Sequence, residues 1–104
     1  PQKPLIVVEG MFDCLRIAEF YPHVIAIGTN QLSESKLKRL SQFNVVWGTD
    51  NDTGGDISRK QACAHFSRDS QSQYREIVPP KIYKDFGAMP RHMVESVLKQ
   101  AGLI

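Results

Sequence analysis

Four short apolar runs, at residues 5–9, His23 to Ile27, 43–49 and about 74–78, alternate with helical patterns at 11–20, 33–42, 55–67 and 90–101. Strict alternation of this kind predicts an α/β fold, a central parallel sheet of about four strands flanked by helices. The punctuation agrees with it. The first helix follows a Gly10 turn, carries Phe12, Leu15 and Ala18 at helical spacing, and is followed by Pro22. Ser33 reads as the cap of the second helix, the third starts after Gly54-Gly55, and the last begins at Pro90 and stops at Gly102. Residues 67–73, including Arg68, are polar and read as a mobile, solvated connection. Pro79-Pro80 ends the fourth strand and opens an extended segment, Lys81 to Asp85.

With 104 residues the chain is expected to form one domain over 1–104, its first four residues, Pro-Gln-Lys-Pro, resembling a linker left by excision from a longer protein. A net charge of +2 permits a polyanionic partner without demanding one. Cys14 and Cys63 have no paired metal-ligand spacing, and His23, His65 and His92 are scattered, so zinc and a disulfide framework are both disfavoured. Buried, reduced thiols are expected instead. No signal-peptide core and no apolar run near the roughly 20 residues that cross a bilayer are present, which makes the cytoplasm the expected compartment.

The chemistry-bearing residues fall where the strands end. Glu9-Gly10 closes Leu5 to Val8, and Asp50-Asn51-Asp52 closes Asn44 to Trp47. In open α/β sheets ligands sit outside the carboxyl ends of the strands, and hard divalent cations select carboxylate oxygen, so this placement suggests a magnesium site. Asp50 and Asp52 are spaced to face one side of an extended backbone. Gly54 and Gly55 would let the chain turn sharply and a phosphate approach the next helix. Glu9 and Asp13 form a second acidic pair across a tight turn. If the two strands are neighbours, up to four carboxylates share one volume, and such crowding raises the pKa of a member unless a cation neutralises the group. A raised Glu9 would then serve as general acid or base beside one or two Mg²⁺ ions.

The succession Val8-Glu9-Gly10-Met11-Phe12-Asp13, Ile27-Gly28-Thr29 and Asp50-Asn51-Asp52 with Gly54-Gly55 resembles the Toprim domain, a Rossmann-like fold, in the order and spacing found in bacterial and phage DNA primases. The resemblance implies that Glu9 acts in acid/base chemistry, that Asp50 and Asp52 hold magnesium, and that Asp13 matches a further primase acid. It also implies that Lys84-Asp85 supplies a cation and one more metal ligand. Gly87 stands where primases usually carry another acid, which puts a second metal position in question. The implied reaction is Mg²⁺-dependent primer synthesis, with Mn²⁺ able to substitute. A single-stranded DNA template and nucleoside triphosphates would be the substrates, and a zinc-binding module or replicative helicase would lie elsewhere in the parent protein.

Several other residues are candidates for contact with phosphate or nucleic acid. Gly10, Gly28, Thr29, Gly54 and Gly55 would let backbone pass close to phosphate, and Arg59 and Lys60 follow the glycine turn. Lys36, Lys38 and Arg39 read as a solvated face, and Phe43 and Trp47 as core. Within the superfamily, a nuclease or topoisomerase fragment would use a similar acidic set to cut DNA, although Tyr21, Tyr74 and Tyr83 lack the context of a nucleophile. A non-enzymatic metal-dependent binding module also fits. Residues 50–55 partly match a calcium loop, but Gln61 stands where its bidentate glutamate belongs. A dehalogenase-type phosphatase and a receiver domain each lack required elements.

Overall fold

The computed structural model describes residues 3–28, 32–67 and 74–104. Strands β1 (Leu5–Val8), β2 (Val24–Ala26), β3 (Val45–Trp47) and β4 (Tyr74–Glu76) form one sheet in the order β2-β1-β3-β4. Every pairing is parallel, with Val7 opposite Ile25 and Trp47, and Val46 opposite Arg75. Helices α1 (Met11–Ala18), α2 (Glu34–Leu40) and α3 (Thr53–Phe66) connect successive strands. A short 3₁₀ turn, Phe86–Ala88, precedes the last helix, α4 (Arg91–Gln100).

Because side chains alternate along a strand, the two central strands feed two cores. Ile6, Val8 and Val46 pack with Ile17 of α1, Val94 and Leu98 of α4, and Phe86 and Met89. Leu5, Val7, Val45 and Trp47 pack on the opposite face with Leu37 and Leu40 of α2 and Ala62 and Phe66 of α3. All four residues of β1 and all three of β3 are buried, as expected of central parallel strands covered on both sides. The chain steps from β1 to β2 in one direction with α1 on the first face, then to β3 and β4 in the other with α2 and α3 on the second. The covering face changes where the direction changes, as a single crossover handedness requires. That reversal lies between β1 and β3, so a crevice opens at their carboxyl ends.

Three expectations change in the structure. Gly54 and Gly55 lie inside the first turn of α3, because Asp52 caps the helix by accepting from the Gly55 N–H at 2.8 Å. Gly55 is required there by space: a Cβ on it would stand 1.8 Å from the Asp50 carbonyl oxygen. Second, α1 is rotated from the expected face. Ile17 and Asp13 turn inward, while Phe12 and Leu15 face solvent. Third, Phe43 precedes β3 and is partly exposed, and Cys63 lies on the outer face of α3, exposed; Cys14 is half-buried. The Ser33 cap is present, its hydroxyl accepting from Lys36 N–H at 3.2 Å, and Lys36, Lys38 and Arg39 are exposed. Gly102, with φ of 74°, follows the end of α4. Of the mobile connection expected at 67–73, Ser67 caps the C-terminal end of α3, and the rest, with Arg68, lies outside the described residues, as do the first two residues of the linker. Among the described residues, no helix is long and apolar enough to cross a membrane.

Candidate metal centre

The crevice at the ends of β1 and β3 gathers carboxylates from four stretches of chain. Glu9 follows β1 directly, and Asp50 lies in the loop between β3 and α3, 8% exposed. Asp13 enters from the first turn of α1, 5% exposed. Asp85 arrives from a segment remote in sequence, held in place by Asn51: the Asn51 N–H donates to the Lys84 carbonyl at 2.6 Å, and its side-chain amide donates to the Pro79 carbonyl at 3.2 Å. One oxygen each of Asp13, Asp50 and Asp85 lies within 4.8 Å of the others.

Asp13 has a scaffolding part as well. Its Oδ2 accepts from Gly10 N–H at 3.2 Å and its Oδ1 from Gly87 N–H at 2.8 Å, which clasps α1 to the 3₁₀ turn. Asp85 caps that turn, accepting from Ala88 N–H at 2.8 Å. Gly87, where the resemblance calls for an acid, therefore contributes its backbone to Asp13; a Cβ there would lie 3.0 Å from the Asp13 carboxylate.

Charge accumulates here with little to offset it. Burial, above all, raises the Asp50 carboxyl to about 7, with Glu9 next in effect and Asp85 and Asp52 adding to it. Burial likewise lifts Asp13 to about 6 against the opposing hydrogen bond from Gly87. Glu9 is raised too, chiefly by burial, with Asp50 as a hydrogen-bond partner pulling the other way. Glu9 and Asp50 can share such a bond only while one of them holds a proton. As anions, Glu9 Oε1 and Asp50 Oδ1 are buried acceptors without a donor among the described residues. Two orphaned buried oxygens beside a triad of aspartate oxygens fit a hard divalent cation.

The other expected site residues take several different positions around the cluster. Asp52 is near enough to raise Glu9 and Asp50, but its Oδ1 is committed to capping α3 and its Oδ2 lies 4.0 Å from the Lys84 ammonium. Lys84 is exposed at the rim, with its charge directed to this edge. Gly10 caps α1, and the N–H of Gly28, at φ 75°, donates to the Glu9 carbonyl at 2.8 Å, so both shape the Glu9 turn. Thr29 lies outside the described residues. Gly54 and Gly55 form the first turn of α3, and Lys60 is exposed on it.

Arg59 has a different position from the one its sequence neighbourhood suggests. It is buried, and Nη1 donates to the Thr49 carbonyl and the Asp50 carbonyl, both at 3.1 Å, while Nη2 pairs with Asp56. Its charge is spent on the loop that carries Asp50. A basic residue one helical turn beyond a glycine-rich cap carries no sequence signal that separates such a buried strut from a phosphate ligand. Trp47 is fully buried against α3, its indole N–H directed at Ser58, and belongs to the core.

A family model described as Toprim-like matches residues 6–88, a span that contains every carboxylate of the cluster. None of the curated proteins matches this chain. Among solved structures the fold is similar to that of a small TOPRIM domain protein from Bacillus stearothermophilus, with a TM-score of 0.81 at 20% identity over 98% of this chain and 87% of that one. Toprim domains bind divalent metals and are generally metal-dependent enzymes of nucleic-acid chemistry. With its four-stranded parallel sheet, its acidic crevice and the span of the match, this chain belongs to the Toprim-like family.

Proposed function

We propose that the domain carries out Mg²⁺-dependent nucleotidyl transfer on nucleic acid, as the catalytic domain of a primase that makes RNA primers on single-stranded DNA. The observation that carries this reading is the pair of buried oxygens, Glu9 Oε1 and Asp50 Oδ1, without hydrogen-bond donors among the described residues, beside the converging oxygens of Asp13, Asp50 and Asp85. Asp13, Asp50 and Asp85, whose oxygens converge, would hold the cation, with Glu9 beside them and Asp52 reinforcing the charge. Bound there, Mg²⁺ would supply charge neutralisation at the phosphate and lower the pKa of the attacking oxygen.

The chain's own groups supply the rest. Glu9, which follows β1 and can share a hydrogen bond with Asp50, is placed beside the cluster to take a proton from an attacking 3′-hydroxyl. Lys84, exposed at the crevice rim, offers its ammonium to a triphosphate. Asn51 keeps Lys84 and Asp85 beside the Asp50 loop, so the cation and the acids approach a substrate as one unit. Template contacts and a zinc-binding module or helicase would be contributed by other parts of a parent protein.

The test begins with Mn²⁺ titration followed by NMR of the chain and of its Asp50→Asn/Asp52→Asn variant. Broadening centred on Glu9, Asp13, Asp50 and Asp85 that the variant loses supports the site; its absence at millimolar metal sinks it. Incubation with single-stranded template, nucleoside triphosphates and Mg²⁺ then decides the reaction. Triphosphate-dependent lengthening supports synthesis, whereas triphosphate-independent shortening would assign the same carboxylates to cleavage.

A further inference from the structure

Helix α1 presents an unusual surface beside the metal centre. Its inward side holds an acid, Asp13, while Met11, Phe12 and Leu15 face solvent, Phe12 being 81% exposed. Large apolar side chains placed outward next to a reactive site contradict the helix's own folding interest, and such conflicts mark surfaces that function covers.

Phe12 and Leu15 form one wall of a groove of about 400 Å³ whose other lining residues are Arg16, Glu19, Gly87 and Arg91. The groove adjoins the acidic cluster through Gly87. Gly87 lines it and donates its N–H to Asp13 Oδ1, and a Cβ on Gly87 would touch the Phe12 Cβ at 3.3 Å. A side chain at position 87 would therefore crowd both Phe12 and the Asp13 carboxylate.

Arg16 and Glu19 continue the same face of α1, Arg91 comes from the start of α4, and these charges are arranged around one carboxylate. Glu19 sits 3.4 Å from Arg16 Nε and 2.9 Å from Arg91 Nε, so two guanidiniums share one anion and a positive charge is left over. Arg16 is anchored further, donating through Nη1 to the Met89 carbonyl. Arg91, which also lines the groove, is held through Nε alone among the described residues and is 68% exposed, so its Nη donors are available to a ligand. An exposed aromatic ring and a guanidinium lining one groove are the pair that a single-stranded nucleotide uses, base on ring and phosphate on cation. A purely apolar protein partner would instead leave Arg16, Glu19 and Arg91 desolvated.

We propose that this groove is a subsite for the nucleic-acid strand flanking the reacting phosphate, with a base stacked on Phe12 and the adjoining phosphate taken by Arg91. The assignment of a nucleic-acid substrate rests on the function proposed above. The groove's own claim concerns where the strand lies.

The test is fluorescence anisotropy and NMR titration with a short labelled oligothymidylate, using the native chain, Phe12→Ala, Phe12→Tyr, Arg91→Gln and, as an apolar control on the same helix, Met11→Ala. The oligonucleotide is expected to shift the amides of Phe12, Leu15, Arg16, Gly87 and Arg91. Phe12→Ala should weaken binding by about fivefold or more, Phe12→Tyr should stay within about twofold of native, and Met11→Ala should change little. Arg91→Gln should weaken binding and flatten the salt dependence by about 0.7 in log–log slope. Oligothymidylate binding that ignores Phe12, no binding at all, or concentration-dependent self-association abolished equally by Phe12→Ala and Met11→Ala would overturn the proposal, the last by showing that a second copy covers the helix. Mn²⁺ broadening recorded on the same samples separates the two readings. If it is absent while oligothymidylate still binds through Phe12, the metal centre fails and the groove stands.

Discussion

Replacing Asp50 by Asn should make the metal-free protein more stable, and the gain should depend on pH. Asp50 is 8% exposed and its carboxyl is raised to about 7 from an ordinary 3.8. The unfolded chain releases this proton near pH 3.8 and the folded chain only near 7, so between those values the folded state binds more protons and stability falls as pH rises. Each pH unit in that window is worth about 1.4 kcal/mol, and at pH 8 the charged, buried carboxylate costs about 4 kcal/mol. Part of that cost is shared with Glu9, since the two anions raise one another. Asparagine removes one charge, and its amide can donate to Glu9 Oε1, now an acceptor without a donor. The expected gain in EDTA at pH 8 is therefore about 2–4 kcal/mol, on the order of 10 °C in Tm, shrinking toward zero at pH 4. Thermal unfolding by circular dichroism across pH 4–8, with and without Mg²⁺, reads it directly. Mg²⁺ should stabilise the native chain at pH 8 and leave the variant unmoved, because only a folded, charged site binds the ion. A variant less stable than the native chain at pH 8 in EDTA would refute the reasoning, since it would mean that the Asp50 carboxylate makes net favourable contacts without a metal.

Gly55→Ala should destabilise the fold by about 3 kcal/mol or more, because the added Cβ meets backbone, the Asp50 carbonyl 1.8 Å away, rather than a side chain that can move; a urea midpoint unchanged from native would contradict that close approach. Arg59→Met should cost about 2–5 kcal/mol by leaving the Thr49 and Asp50 carbonyls without donors, and Mn²⁺ affinity should fall with it as the Asp50 loop loosens. The ion pair with Asp56, a side chain 60% exposed, adds little to that figure. A loss under about 1 kcal/mol would show that water replaces the guanidinium at those carbonyls. Asp52→Ala should cost about 1 kcal/mol through loss of the α3 cap, whereas Asp52→Asn keeps the cap and should cost only a few tenths; equal losses in urea titration would remove the capping role.

Strand and helix order, the parallel sheet and the strand-end position of Glu9 and Asp50 were legible in the sequence, because each follows from local information: apolar runs of strand length, capping residues, and acids directly after the runs. The Ser33 cap and the Gly102 stop are of the same kind. The orientation of α1 was not, since its apolar spacing favours Phe12 and Leu15 as the inward face while the fold buries Ile17 and Asp13. A helix turns its most apolar side inward only when nothing stronger competes, and here the Asp13 clasp to Gly10 and Gly87 fixes the other side. Asp52 and Arg59 were ambiguous for a related reason. A carboxylate that caps a helix and one that binds metal share the same sequence position, as do an arginine that braces a loop and one that awaits phosphate.

By itself, then, the sequence determined which residue types stand at the ends of which strands, because strand-forming periodicity and turn chemistry are properties of a few consecutive residues. Tertiary structure decided which carboxylates meet. Asp85 joins Asp50 only because Asn51 hydrogen-bonds to the Lys84 and Pro79 backbone, a contact across about thirty residues that no local pattern encodes. It also decided the protonation of those carboxylates, since burial and mutual repulsion depend on distances in space: the same Asp50 that would ionise freely in an extended chain holds its proton to about pH 7 in the crevice.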